Sequence, residues 1–190
     1  MARVLVVSLR GQYNHLIQRR LRELGAEADL VDYERVDGRL VEEYDCVVYG
    51  GGPYRVPGDV DKLSNLLELL VKPPRPTLGI CLSLHLMVYA NGGEVGPAEH
   101  PEFGGVEVEV LEEDLLFRGL PKRFLAWESH NDEVKRVPEG FRVIARSETC
   151  PVQAIVDESR GLYGVQFHPE VGHTQHGREI FANFLTACRR

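Results

Sequence analysis

PTLGICLSLHLMVYANGG, residues Pro76 to Gly93, decides the fold. Thr77 to Ile80 has the look of a short buried strand. Leu82 to Ala90 has the composition of a helix. Cys81 stands at the junction, so the thiol sits where a strand turns directly into a helix.

Working outward, the same alternation recurs. RVLVVSL, residues 3–9, is continuous and β-branched, the pattern of a parallel strand buried on both faces. From Tyr13 to Leu24, Leu16, Ile17, Leu21 and Leu24 fall at helical spacing, and Gly25 closes the segment. AEADLVDY (26–33) and DCVVYGGGP (45–53) read as strands. VDKLSNLLELLV (60–71) reads as a helix stopped by KPPRP. Strands alternating with helices predict an α/β, doubly wound sheet flanked by helices. Ligands bind such sheets at the carboxyl ends of the strands, which directs attention to the residues after Leu9, Tyr49 and Ile80.

The second half changes character. GGVEVEVLE (104–112) alternates strictly, as a half-exposed antiparallel strand does. RFLAWES, FRVIARS, VQAIVDE and LYGVQFH follow as further strands, and HGREIFANFLTACRR (176–190) reads as a closing amphipathic helix. With no linker, internal repeat or low-complexity segment, residues 1–190 are expected to form one domain. Its sheet should be mixed and mainly parallel, with extra antiparallel strands in the second half.

The net charge of -7 provides no basic excess to displace counterions, which argues against a nucleic-acid surface. The Arg19, Arg20 and Arg22 cluster reads as a solvated helix face. No apolar run is long enough to span a membrane, and MARVLVVSLRGQYN leads straight into a core strand, so a cytoplasmic location is expected. Cys46, Cys81, Cys150 and Cys188 contain no CxxC pair; neither a zinc site nor a disulfide framework is expected, and Cys46 reads as a core residue. Few Asn, Gln and Met residues fit a heat-adapted source.

A cysteine at a helix N-terminus gains thiolate character from the dipole and the free N–H groups. Those N–H groups can also hold the oxyanion of a tetrahedral intermediate. Taken alone, a small cysteine in GICL serves packing equally well; the chemistry needs a base. GVQFHPE (164–170) supplies His168 at another strand end, with Glu170 two residues on past the stiffening Pro169. Cys81, His168 and Glu170 then fit the roles of nucleophile, general base and acid, and orienting carboxylate. Gly50, Gly51 and Gly52 end a strand at the same face, where backbone can approach a substrate closely. The N–H groups of Gly52 and Leu82 are the candidate oxyanion hole. Three glycines before Pro53 also suit a plain tight turn.

The order GGP, GxCxxxx and FHPE resembles the class I, triad-type glutamine amidotransferases. GQYNHLIQRRLRELG, LAWESHNDEV, VIARSETCPVQAI and GLYGVQFHPEVGHTQHGREIFANF resemble the glutaminase part of the GMP synthetases, over nearly the whole chain. The resemblance implies that glutamine forms a γ-glutamyl thioester on Cys81, that His168 protonates the departing ammonia, and that water then frees glutamate. It also implies that ammonia passes to a separate partner chain, an ATP pyrophosphatase that binds ATP, magnesium and XMP, as a heterodimer or higher assembly. No cofactor is expected in this chain itself. Gly51, His85, Ser129 and His130 are the candidate substrate-binding positions, and Asp132 and Glu133 either face the partner or form a solvated turn.

Three positions depart from the family pattern. Ser83 stands where a glycine is usual, which predicts slight strain at the elbow. His85 replaces a glutamine that helps hold the substrate, and an imidazole offers one donor and one acceptor in its place. SLRGQY carries Ser8 and Arg10 where the family reads D-x-GGQY. Ser83 and His85 keep open a non-catalytic docking or regulatory subunit, and the same triad would also serve a stand-alone γ-glutamyl hydrolase. His173 and His176 lie near His168 in sequence, but with no accompanying carboxylate or cysteine set they read as loop and helix-start residues, and no metal is expected. Trp127 and Cys150 read as structural.

Overall fold

The computed structural model describes residues 1–188; Arg189 and Arg190, the end of the segment read as the closing helix, lie outside the described residues. Four parallel strands come first: β1 (Arg3–Ser8), β2 (Glu27–Asp32), β3 (Cys46–Tyr49) and β4 (Thr77–Ile80). Between them run α1 (Asn14–Glu23), the short α2 (Gly38–Glu42) and α3 (Ser64–Val71). Helix α4 (Leu82–Ala90) leaves β4 directly through Cys81. Then come β5 (Glu94–Val110), β6 (Arg123–Arg136), β7 (Arg142–Ser147), β8 (Ala154–Asp157) and β9 (Leu162–Val165), and α5 (Gly177–Ala187) follows.

All nine strands join one sheet in the order β2-β1-β3-β4-β9-β8-β7-β5-β6. From β2 to β9 the neighbours are parallel; from β9 to β6 each pair is antiparallel. The mixed, mainly parallel sheet expected from the sequence is therefore present. Strand β1 is apolar on both faces because both are covered. Val4 and Val6 point into one core with Ile17 of α1 and Phe181 and Phe184 of α5. Leu5 and Val7, one residue out of phase, enter a second core with Leu66 and Leu70 of α3 and Leu84 of α4.

Two features differ from the sequence reading. Strands β5 and β6 extend well beyond GGVEVEVLE and RFLAWES and pair as a long antiparallel ribbon. Gly96, Pro97 and Gly104 interrupt the polar–apolar alternation of β5, so its first half carries no strand signature. The second correction concerns sulfur: Cys46 and Cys188 form a disulfide, with Cα atoms 5.3 Å apart. Their separation of 142 residues hides the pair from any spacing rule, because only the tertiary packing of α5 against β3 brings them together. Cys81 and Cys150 remain as free thiols.

Denatured, unreduced protein is expected to titrate two thiols per chain, and reduced protein four. Replacing Cys46 and Cys188 together by serine is expected to lower stability by about 3–5 kcal/mol, through the loop-closure entropy restored to the unfolded chain, read as a fall in Tm.

Candidate active site

The loops that follow β1, β3, β4 and β9 converge at the carboxyl edge of the parallel sheet. They line a cleft of about 330 Å³ whose walls include Gly51, Gly52, Cys81, Ser129, His168 and Glu170. Cys81 has φ 53° and ψ -106°, a backbone conformation that L-residues rarely adopt. It is held from both sides. Its N–H donates to the Val165 carbonyl at 2.8 Å, and its carbonyl accepts the His85 N–H at 3.2 Å, opening α4. The strained turn lifts the thiol above the sheet and sets it at the positive end of a helix.

His168 is anchored through backbone on both sides. Its N–H donates to the Trp127 carbonyl at 2.9 Å, and its carbonyl accepts the Thr174 hydroxyl at 2.6 Å. The imidazole Nδ1 lies 3.0 Å from Glu170 Oε2, so Pro169 does turn the carboxylate back onto the ring. Tyr13 and the same ring meet in a T-shaped arrangement, with centroids 5.3 Å apart. Burial works to lower the His168 pKa. The buried Glu170 carboxylate and the adjoining Cys81 sulfur outweigh it and hold the imidazolium well above the usual histidine range. Arg20 also reaches this loop, donating from Nε to the Glu170 carbonyl at 3.2 Å, so the arginine cluster on α1 is only partly a solvated face.

The glycine loop is set by its carbonyls. Gly51 O accepts from the Gly11 N–H and from Asn14 Nδ2, both at 3.0 Å. With that carbonyl tied down, the trans peptide turns the Gly52 N–H the opposite way. A Cβ on Gly52 would sit 1.9 Å from the Leu9 carbonyl oxygen, which no side chain permits. A Cβ on Gly51 would project between His168, 3.5 Å away, and Cys81, 3.8 Å away, into the space a substrate would use. Leu82 supplies the first N–H of α4 beside the sulfur.

The family departures resolve differently from expectation. Ser83 causes no clash: its hydroxyl donates to the Gly50 carbonyl at 2.6 Å and joins α4 to the glycine loop. Arg10 adopts φ 69°, the conformation that suits the glycine it replaces, and its guanidinium is engaged by Asp32 and Glu34. His85 and His130, expected as substrate contacts, are not among the residues that line the cleft. His85 is buried on the inner side of α4, where hydrophobic packing dominates, and its Nε2 lies 2.7 Å from Gln166 Oε1. His130 points to the opposite side of β6 from Ser129, as strand alternation requires. There it bonds Glu102 Oε1 and the Asp132 carbonyl, each at 2.7 Å. Asp132 and Glu133 are buried strand residues rather than a solvated turn, and Asp132 accepts from Arg55 Nε at 3.0 Å.

Behind the thiol lies a polar cluster that sequence reasoning missed. Glu128 is fully buried, and neither of its carboxyl oxygens has a hydrogen-bond partner among the described residues. Burial first, then the charges of Glu102 and Cys81, push its pKa well above the carboxylate range. Glu102, His130 and Cys150 bring one donor atom each within 4.8 Å of one another. Those donors are already engaged: Glu102 accepts from Ser147, Thr149 and Gln153 as well as meeting His130, and the Cys150 thiol donates to the Val152 carbonyl. His173 tilts against Trp127, and His176 precedes the first turn of α5, as loop and helix-start roles require. Asn14, Gln166 and Glu128 are the site residues the sequence reading passed over. Gln166 stands inside the quoted GVQFHPE motif, but nothing in its spacing distinguishes it from a strand residue.

The chain belongs to the class I glutamine amidotransferases: the glutamine amidotransferase class-I family model matches residues 5–188. Within that class its curated relatives include the glutamine-hydrolyzing GMP synthase subunit of Sulfurisphaera tokodaii, 44% identical over 188 residues, covering 99% of this chain and 100% of that one. The corresponding subunit of Ignicoccus hospitalis is 48% identical over 190 residues, covering 100% of both chains. A crystal structure of a GMP synthase subunit protein from Thermoplasma acidophilum superposes with a TM-score of 0.93 at 38% identity, covering 99% of this chain and 94% of that one. A glutamine amidotransferase of Thermotoga maritima superposes with a TM-score of 0.77 at 26% identity, covering 98% and 81%.

Burial draws the His85 pKa down from 6.5 to about 4, against the Gln166 hydrogen bond, which raises it. Between these values the unfolded chain binds more protons than the folded one. Stability is therefore lost as pH falls through 6.5 and levels off below about 4. His85→Gln is expected to remove about 3 kcal/mol of that acid-side loss, measured by urea unfolding at stepped pH.

Proposed function

We propose that this chain is the glutaminase subunit of a two-subunit GMP synthase. One observation carries the reading: a cysteine on a strained strand-to-helix turn shares one cleft with a buried histidine–glutamate pair, in a chain that matches glutamine-hydrolyzing GMP synthase subunits from end to end. Cys81 attacks the γ-carboxamide carbon of glutamine. The oxyanion that forms meets the N–H groups of Gly52 and Leu82. His168, oriented and held protonated by Glu170, gives its proton to the departing ammonia, leaving a γ-glutamyl thioester on Cys81. Water then enters; His168 takes its proton, the carbon–sulfur bond breaks, and glutamate leaves. Glutamine and water yield glutamate and ammonia, and every group used belongs to this chain.

Gly51 and Ser129 remain as substrate-side wall residues. Ammonia would pass to an ATP pyrophosphatase subunit that binds ATP, magnesium and XMP and converts XMP to GMP, in a cytoplasmic heterodimer or higher assembly. No described helix is long and apolar enough to cross a membrane. The non-catalytic docking reading drew its support from Ser83 and His85. Ser83 is accommodated by a hydrogen bond and His85 lies outside the cleft, so neither speaks against catalysis.

The test is ammonia release from glutamine by this chain mixed with a GMP synthase ATP pyrophosphatase subunit, with and without XMP and ATP–Mg²⁺. Turnover is expected to rise on adding partner and nucleotides. Cys81→Ala should abolish glutamine-dependent GMP formation while GMP formation from added ammonium persists. Glutamine use surviving in Cys81→Ala would remove the thiol from the reaction. Turnover indifferent to the partner would favour a stand-alone hydrolase.

A further inference from the structure

We propose that Gln166 holds the Cys81 sulfur in its anionic form, and that His85 holds Gln166 in the orientation this requires; the proposal rests on Cys81 being the nucleophile of the reaction above. In the parallel pairing of β4 with β9, Ile80 lies opposite Val165. The next residues, Cys81 and Gln166, therefore leave the sheet side by side. Both backbones are fixed, Cys81 through its bond to the Val165 carbonyl and Gln166 through an N–H that donates to the Gln153 carbonyl at 2.8 Å.

The Gln166 side chain is wholly buried and makes two directed contacts. Nε2 donates to Cys81 Sγ at 3.6 Å, and Oε1 lies 2.7 Å from His85 Nε2. An amide oxygen only accepts, so the His85 proton sits on Nε2. With the imidazole donating from Nε2, the amide presents its N–H to the sulfur. A flipped amide would set its oxygen against the sulfur and its N–H groups against the imidazole proton.

The sulfur needs such a donor. The Ser129 carbonyl stands 3.8 Å from Sγ, an acceptor that suits a thiol and repels a thiolate. The ionisable groups facing Cys81 are His168 with Glu170, beyond β9, and Glu128 on β6; those facing His85 are His130 and Asp132 on β6. His168 is consumed during the cycle, since its proton goes to ammonia. Gln166 has no proton to lose and stays a donor when the thioester breaks and the thiolate returns. The family departure at His85 is thereby explained: the residue acts on the nucleophile from behind, as a positioning residue, while Gln166 touches the reacting sulfur.

The experiment is the pH dependence of Cys81 alkylation by iodoacetamide in the full chain without glutamine, with the modified residue located by mass spectrometry. Gln166→Leu is expected to shift the thiolate midpoint upward by about one unit or more, and so to slow alkylation at least about tenfold below it. His85→Leu should shift it the same way by less, and His85→Gln, which retains an N–H donor, should restore the wild-type profile. In the partnered enzyme kcat should fall with KM for glutamine unchanged. If Gln166→Leu does not fold, the His85→Leu and His85→Gln pair decides. Unmoved alkylation profiles in the folded variants, with only a lower Tm, would mean that these side chains merely fill the core. A shifted profile in a chain that never hydrolyses glutamine would support the thiolate contact and count against the glutaminase reading.

Discussion

The hydrogen bond from the Cys81 N–H to the Val165 carbonyl is the constraint on which the site depends. It continues the β4–β9 ladder one residue past β4 and forces the chain to turn there. The turn places a non-glycine residue at positive φ, a conformation that costs on the order of 1–3 kcal/mol and persists only where its surroundings over-determine it. Here α4 begins at once, and Ser83 ties its first turn to the glycine loop. The nucleophile is thus placed by sheet register rather than by contacts of its own side chain. The same register brings the loop bearing His168 and Glu170 to its side.

Around that point the molecule divides its labour between two kinds of chemistry. The parallel half supplies position: continuous apolar strands, covered on both faces, leave four loop ends in one place. The antiparallel half supplies environment. Strand β6 presents Ser129 to the cleft on one face and buries Glu128 and His130 on the other. Arg55, just beyond the glycine loop, clasps Asp132 on the same strand. Polar groups sealed this way act over short distances at low effective dielectric, so the buried Glu128 carboxyl, 3.6 Å from His130 Nε2, bears on the thiol in front of it.

The parallel strands, their helices and the reacting residues were legible in the sequence, because each leaves a local mark. Runs such as LVV and CVVYG announce burial, and GIC and FHPE stand at strand ends. The first half of the β5–β6 ribbon was illegible because its glycines and proline erase the period of two. The inward turn of His85 was illegible for a different reason. A helix buried nearly all round carries no polar face, so the direction of a lone imidazole on it depends on what β9 offers. The disulfide and the Glu102–His130 contact are pairings between distant segments, which one sequence does not encode in any spacing.

The Cys46–Cys188 link has one more consequence. It makes the chain between β3 and α5 a covalent ring that contains Cys81, Ser129, Gln166, His168 and Glu170. A single proteolytic nick anywhere within that ring opens it without releasing a fragment. The two halves stay tethered through sulfur, and the nucleophile and its base cannot diffuse apart. The segment before β3, with Gly11 and Asn14 bracing the glycine loop, depends on uncut backbone for its attachment. The chemistry sits in the part of the molecule that survives a cut.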